Sequence, residues 1–150
     1  MSPVRALENR FYRSVRDPRA ALATDAETES WSTEPLRAHK YCLLTSYRRS
    51  GEAVHTPVWF GIDDGRIYIR SGAGDGKVKR IHRNARVRVT PCTARGKPLG
   101  QPMEGVGRVL DVGEWERAEA ALRRHYGLGR KLYRLVRRRL DVAYLEVVGP

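Results

Sequence analysis

The stretch Ser71-Gly72-Ala73-Gly74-Asp75-Gly76-Lys77-Val78-Lys79-Arg80 concentrates the groups in this chain that could hold an anion. A hydroxyl comes first. Glycines follow, which let the backbone approach a ligand closely, and then a helix start whose first N–H groups lack intrahelical partners. Lys77 and Arg80 are three residues apart, so on a helix they share a face and can converge on one anion. Lysine supplies a compact charge and arginine a planar fork, a combination suited to phosphate. The Walker-type pattern GxxxxGKS or GxxxxGKT is missing. By residue chemistry alone two readings stand: a phosphate anchor, or a solvated basic helix behind linker glycines.

The elements that would position this stretch are mostly strands. Tyr41–Tyr47 is a β-rich run and Ser50-Gly51 a turn signal. Val54–Ile62 is a second run, and Pro57 inside it argues for a sheet edge or bulge because proline cannot donate to a ladder. Asp64-Gly65 is a two-residue hairpin turn. Arg66–Ser71 then alternates, Ile67 and Ile69 to one side, Arg66, Tyr68 and Arg70 to the other. A helix is predicted over Gly76–Arg83, with Asp75 as N-cap, Val78 and Ile81 facing the core, and Asn84 closing it in a left-handed conformation. Arg86–Cys92 is a strand with Val87 and Val89 inward, Lys97-Pro98-Leu99-Gly100 a turn, and Met103–Asp111 a strand whose Gly105 and Gly107 suggest close backbone approach. Helices are predicted over 114–126, with Trp115, Ala118 and Leu122 as the apolar stripe, and over 129–139. Val142–Val148 closes the set. This order predicts a mainly β fold, a small antiparallel barrel with helices packed outside. The barrel domain would occupy 38–150 and an N-terminal extension 1–37. A short helix is predicted over 4–20, ended by Asp17-Pro18, and a polar linker over 22–36 in which Trp31 alone is apt to dock.

The totals narrow the function classes. The 150 residues include 29 Lys and Arg against 17 Asp and Glu, a formal net charge of +12. Such a field attracts nucleic acid, an acidic membrane surface or a polyanionic small molecule. The charge is uneven: residues 66–97 hold many Lys and Arg and the single acid Asp75, whereas the first forty are nearly balanced. No apolar run approaches the ~20 residues of a membrane-spanning helix, and residues 1–19 lack the apolar stretch of a secretory signal. Cys42 and Cys92 fit no metal-ligand spacing, no metal site is expected, and both read as reduced buried thiols in a cytoplasmic protein.

The run from Tyr41 to Val148 resembles the pyridoxamine-5′-phosphate-oxidase-like split β-barrel superfamily, and within it the branch of deazaflavin (F420)-dependent oxidoreductases. The resembling pieces are Tyr41-Cys-Leu-Leu-Thr-Ser-Tyr-Arg48, Thr56-Pro57-Val58-Trp59-Phe60, Arg66-Ile67-Tyr68, Gly76-Lys77-Val78-Lys79-Arg80 continuing to Val87, Pro91-Cys92, Glu104-Gly105, Tyr126-Gly127-Leu128 and the final strand. The resemblance implies that Thr56, Pro57, Val58 and Trp59 lie along the tricyclic ring, mainly through backbone groups. It implies that Ser71, Lys77 and Arg80 hold the cofactor phosphate, and that Asn84 is structural. Where the family usually has Asn-Pro, this chain has Asn84-Ala85, which loosens that turn. It further implies a homodimer with the cofactor at the subunit interface.

Two cofactors fit that pattern. FMN carries one terminal phosphate; F420 carries a phosphodiester and a polyglutamate tail. Arg66, Arg70, Lys79, Arg83, Arg86 and Arg88 near the same loop exceed what one phosphate requires, which favours F420. The expected chemistry is hydride transfer from the reduced deazaflavin to a small organic substrate, with the protein orienting the cofactor and excluding water. Tyr68, His55 and Tyr126 are candidates by residue type for a proton donor. His82 and His125 read as surface residues, and Trp59 and Trp115 as core. The competing readings are an FMN-dependent oxidase or flavin reductase, a cofactor-binding protein without turnover, and a basic nucleic-acid-binding module. The last lacks an RNP-like stacking motif or a helix-turn-helix pattern.

Overall fold

Among the described residues seven strands form one antiparallel sheet in the order β2-β1-β5-β6-β7-β4-β3. They are β1 Tyr41–Tyr47, β2 Ala53–Trp59, β3 Gly61–Asp63, β4 Arg66–Gly72, β5 Arg86–Cys92, β6 Met103–Val109 and β7 Val142–Val148. Among the described residues two α-helices, α1 Gly76–Arg83 and α2 Trp115–Tyr126, and three short 3-10 helices accompany them. The structure is a computed structural model and describes residues 17–126 and 141–150.

The two margins of the sheet, β2 and β3, are consecutive in the chain with Phe60 alone between them. One stretch therefore pairs with β1 through its first half (Leu43↔Pro57) and with β4 through its second (Gly61↔Tyr68), curling the sheet into a barrel. The single strand expected over 54–62 is thus broken at Phe60. That side chain is fully buried and lies 4.4 Å, centroid to centroid, from the ring of His125. The break carries the chain from one partner strand to the other. β3 is also held tightly under α2: a Cβ on Gly61 would sit 2.4 Å from the backbone carbon of Ala121.

The interior is filled by alternate strand residues, as a period-two pattern requires. Leu44, Ile67, Ile69, Val87, Val89 and Leu145 are fully buried in it. Val78 and Ile81 of α1 reach the same core. On the outside, α2 lays Ala118, Ala121 and Leu122 over Tyr68 and Tyr144. The hairpin at Asp64-Gly65 has positive φ at both residues (52° and 69°), the conformation that dipeptide favours.

Several local expectations are corrected. The helix expected over 4–20 lies outside the described residues up to 16. The described chain opens with Asp17 capping a 3-10 helix, Pro18–Thr24, so Asp17-Pro18 begins an element. The polar stretch 22–36 is laid along the barrel. Ala23 and Leu36 are buried, and the Glu29 amide donates to the Pro102 carbonyl. Trp31 covers one barrel end, stacked so closely over Gly105 and Gly149 that a Cβ on either would meet its ring at 2.9 and 2.8 Å. Its indole N–H donates to the Gly65 carbonyl at 3.0 Å. Asn84 ends α1 in extended backbone (φ −137°), because its side-chain oxygen accepts the Arg86 amide and no left-handed residue is needed. The turn expected at Lys97–Gly100 sits earlier, closed by the Thr93 amide on the Lys97 carbonyl with Gly96 at φ 94°. The helix expected over 129–139 lies outside the described residues.

Candidate functional site

Ser71 sits near the end of β4 on the inward-facing side, in line with Ile67 and Ile69, and is nearly buried. The chain then turns through Gly72–Gly74 into α1. Three donors converge there on a single oxygen, Oδ2 of Asp75. The Ser71 hydroxyl donates at 2.8 Å, the Gly72 amide at 3.0 Å and the Lys77 ammonium at 3.1 Å. The side chain of Lys77 is only 14% exposed, whereas that of Asp75 is 42% exposed. The backbone of Asp75 has N-cap geometry (φ −68°, ψ 148°), but its carboxylate makes no capping bond to the helix. It turns back into the cradle.

Arg80 forms the second wall. Its Nε donates to Ser46 Oγ at 2.7 Å, and its guanidinium lies over Gly76, where a Cβ would be 2.6 Å from Nη1. Burial alone would raise the Asp75 pKa. The Lys77 charge, with the Ser71, Lys77 and Gly72 donors, outweighs burial and holds the carboxyl below its ordinary value. Burial draws the Lys77 ammonium downward, and Asp75 restores part of that. This is a small, donor-rich, partly desolvated seat for one anionic oxygen. The absence of side chains at Gly72 and Gly76 makes room for the Asp75 carboxylate and the Arg80 guanidinium.

β2 stands on the margin beside it. Ser46, which holds Arg80, pairs in register with Val54, and Leu44 with Thr56. Thr56, Pro57 and Trp59 are half-buried, while Val58 points into the core with 8% exposure, so a ligand along this strand meets Val58 only through its backbone. Pro57 lies on a marginal strand, as its missing N–H requires. Trp59 is set edge-on to Tyr41.

The structure distributes the proton-donor candidates elsewhere. Tyr68 is on the opposite face of β4 from Ser71, buried beneath α2, and its hydroxyl donates to Glu146 at 2.9 Å. Burial, followed by that carboxylate, pushes its pKa up to about 12. The His55 ring is clamped between the hydroxyls of Thr45 (2.7 Å) and Thr24 (2.6 Å). The side chain of Tyr126 lies outside the described residues. His82 is exposed. His125 is not a surface residue: it is half-buried against Phe60 and bonded to the His39 carbonyl at 2.7 Å.

The cations around the loop are largely committed to the protein itself. Arg66 reaches Glu146 at 3.4 Å, and Arg83 donates to the Tyr47 carbonyl at 3.1 Å. Arg86 lies 4.8 Å over the Tyr47 ring. Arg88 binds Glu104 at 2.7 Å and the Thr24 carbonyl at 2.8 Å. These four thus have partners within the protein, while Lys79 is exposed. Ser46 is the residue that local reading missed, since nothing in Tyr41–Tyr47 marks it and only the fold brings it to Arg80. Glu146 was missed too. It is a buried carboxylate that accepts from Tyr68 and from Arg108 at 3.0 Å. Among the described residues no cluster of side chains could ligate a metal, and no helix is long and apolar enough to cross a membrane.

No protein-family model matches the sequence, and no curated protein matches it either. Solved structures do. A proposed 5-nitroimidazole antibiotic resistance protein from Bacteroides thetaiotaomicron aligns at TM-score 0.58 and 20% identity, over 76% of this chain and 75% of that one. A proposed pyridoxamine 5′-phosphate oxidase from Listeria innocua aligns at TM-score 0.53 and 19% identity, over 76% and 86%. A heme storage protein from Vibrio cholerae aligns at TM-score 0.59 and 12% identity, over 79% and 91%. At these identities the likeness defines the fold. The chain shares with them the split β-barrel fold.

Proposed function

We propose that this protein is an F420H2-dependent oxidoreductase, anchoring the cofactor by a phosphate at Ser71, Lys77 and Arg80 and laying its ring along Thr56, Pro57, Val58 and Trp59. The observation that carries the anchor is the convergence of Ser71, Gly72 and Lys77 on one anionic oxygen, beside glycines at 72 and 76 that let an acidic oxygen and the Arg80 guanidinium come close to the backbone. A phosphate oxygen asks for the same donors as the Asp75 carboxylate oxygen found there. Bound in reduced form, the deazaflavin supplies a hydride for a small organic substrate. The chain's own residues bind, orient and exclude water. Lys77 and Arg80 fix the phosphate end, the backbone of β2 fixes the ring, and Ser46 keeps Arg80 facing the cradle.

The choice of F420 is supported by the resemblance of Thr56–Phe60 and Gly76–Val87 to that branch. The flavin character is supported by a FAD-binding protein of Mesorhizobium loti that shares the fold at TM-score 0.57 and 15% identity. FMN is the second reading. A specific observation favours it: Arg66, Arg83, Arg86 and Arg88 have partners within the protein, and the cradle brings Ser71, Gly72 and Lys77 to a single oxygen. The β2 margin is open on one side, so we further propose that a second copy of the chain supplies the opposing wall.

The test is a titration of the purified protein with F420, FMN and haem, followed by cofactor fluorescence and absorbance. Micromolar F420 binding without FMN binding supports the first reading, and the converse supports the second. Binding of haem alone removes both.

A further inference from the structure

The cradle holds an anion of the chain's own. One oxygen of Asp75 takes the Ser71 hydroxyl, the Gly72 amide and the Lys77 ammonium together. A phosphate cannot share that point with a carboxylate, because like charges at contact distance repel and the donors are already engaged. Asp75 is meanwhile the N-cap residue of α1, with backbone angles suited to capping and a side chain that does not cap. It therefore has a second place to go, since an aspartate at this position accepts from the first-turn amides and its charge suits the positive end of the helix. Gly72 provides room for the inward position: a methyl there would stand 2.9 Å from Asp75 Oδ1.

Resting on the anchoring role proposed above, we infer that the Asp75 carboxylate is a latch. It occupies the phosphate seat in the free protein and swings out to cap α1 when a phosphate ester arrives. Two arrangements of one side chain then share the site, and the ligand binds only the outward one. Its apparent affinity is reduced by the fraction of protein with the latch open. The inward position also keeps Lys77 and Ser71 paired while no ligand is present, sparing the protein a desolvated ammonium without a counter-charge.

The latch predicts that removing the carboxylate charge strengthens anion binding, opposite to what loss of a supporting residue does. Inorganic phosphate would be titrated into the wild-type protein, Asp75→Asn and the double variant Asp75→Asn/Lys77→Ala, with the Gly72 amide followed by two-dimensional NMR. Asparagine keeps the shape and the capping ability of aspartate, so the fold is retained. The expected result is a gain of roughly tenfold in phosphate affinity for Asp75→Asn, the size of a modest population shift. The gain should vanish when Lys77 is also removed. Equal or weaker phosphate binding in Asp75→Asn, with the Gly72 amide still responding in both proteins, overturns the latch and leaves the anchor standing. A cradle that responds to phosphate in neither protein overturns the anchor, and the latch with it.

Discussion

Lys77 carries the anchor reading most directly, since its ammonium bonds the oxygen held in the cradle at 3.1 Å and its side chain is only 14% exposed. Lys77→Ala is expected to weaken cofactor binding by about 1–3 kcal/mol, the cost of losing a charged hydrogen-bond partner. Fluorescence titration measures it, and an unchanged affinity would take Lys77 out of the site. Gly76→Ala tests Arg80 differently. The added Cβ would press on Nη1 at 2.6 Å, the far end of a flexible side chain, so the guanidinium gives way and the fold does not. Affinity should fall by about 1–2 kcal/mol while the melting temperature stays nearly constant, which calorimetry checks. At this scale the sequence was legible in part. Ser71, the glycines, Lys77 and Arg80 announce an anion seat by type and spacing. The direction of the Asp75 carboxylate was not legible, because capping the helix and entering the cradle satisfy the same local rules. The pull of Lys77 and Ser71 decides it only once β4 and α1 are folded together.

Tyr68 shows how an element can redirect a residue that looks catalytic by type. β4 alternates, so a residue three before Ser71 faces the other side of the sheet, where β7 presents Glu146 and α2 closes the space. Tyr68→Phe is expected to cost about 1 kcal/mol of stability, the loss of one hydrogen bond. Cofactor affinity and turnover should stay as in wild type; a large loss of turnover in stopped-flow assays would restore Tyr68 as a proton donor. The contact of β3 with α2 is less forgiving. Gly61→Ala would drive a Cβ into the backbone of Ala121 and Leu122 at 2.4 Å, and a helix backbone cannot step aside as a side-chain tip can. We expect a loss of about 2 kcal/mol or more in denaturant unfolding, in the upper range of overpacking costs. Strand periods, the Asp64-Gly65 turn and the α1 and α2 stripes were readable because each is a local pattern. The break at Phe60 was not, since the run from Val54 to Ile62 is continuous and only its two different partners divide it.

At the scale of the whole molecule, the carboxylates on the described strands and at the start of α1 are held in ion pairs. Burial pushes Glu146 upward, but Arg108, Tyr68 and Arg66 outweigh it and hold the carboxyl below its ordinary value. Asp75 and Glu104 are held below theirs in the same way, by Lys77 and by Arg88 with Arg86. A carboxyl whose folded pKa is lowered binds a proton less readily folded than unfolded. Its stabilisation is therefore complete above the unfolded values and is lost as pH falls through the folded ones. Thermal unfolding should show a nearly flat melting temperature from neutral pH to about 5 and a fall below about 4. A melting temperature that rises on acidification would contradict these pairings. Net charge and the mainly β class were visible in composition and pattern, whereas the pairing that gathers the charge depends on register, as where Arg88 meets Glu104 across β5 and β6. The same register has a kinetic side. β7 lies between β6 and β4, and its pairing with β4 joins Ile67 to Val147. Until that long loop closes, the β3–β4 hairpin and β6 both present open ladders, so closure by β7 is expected to limit the refolding rate, which stopped-flow refolding of a variant weakened in β7 would check. Refolding is expected to lose more material to aggregation when β7 pairing is slowed, which light scattering during refolding would register.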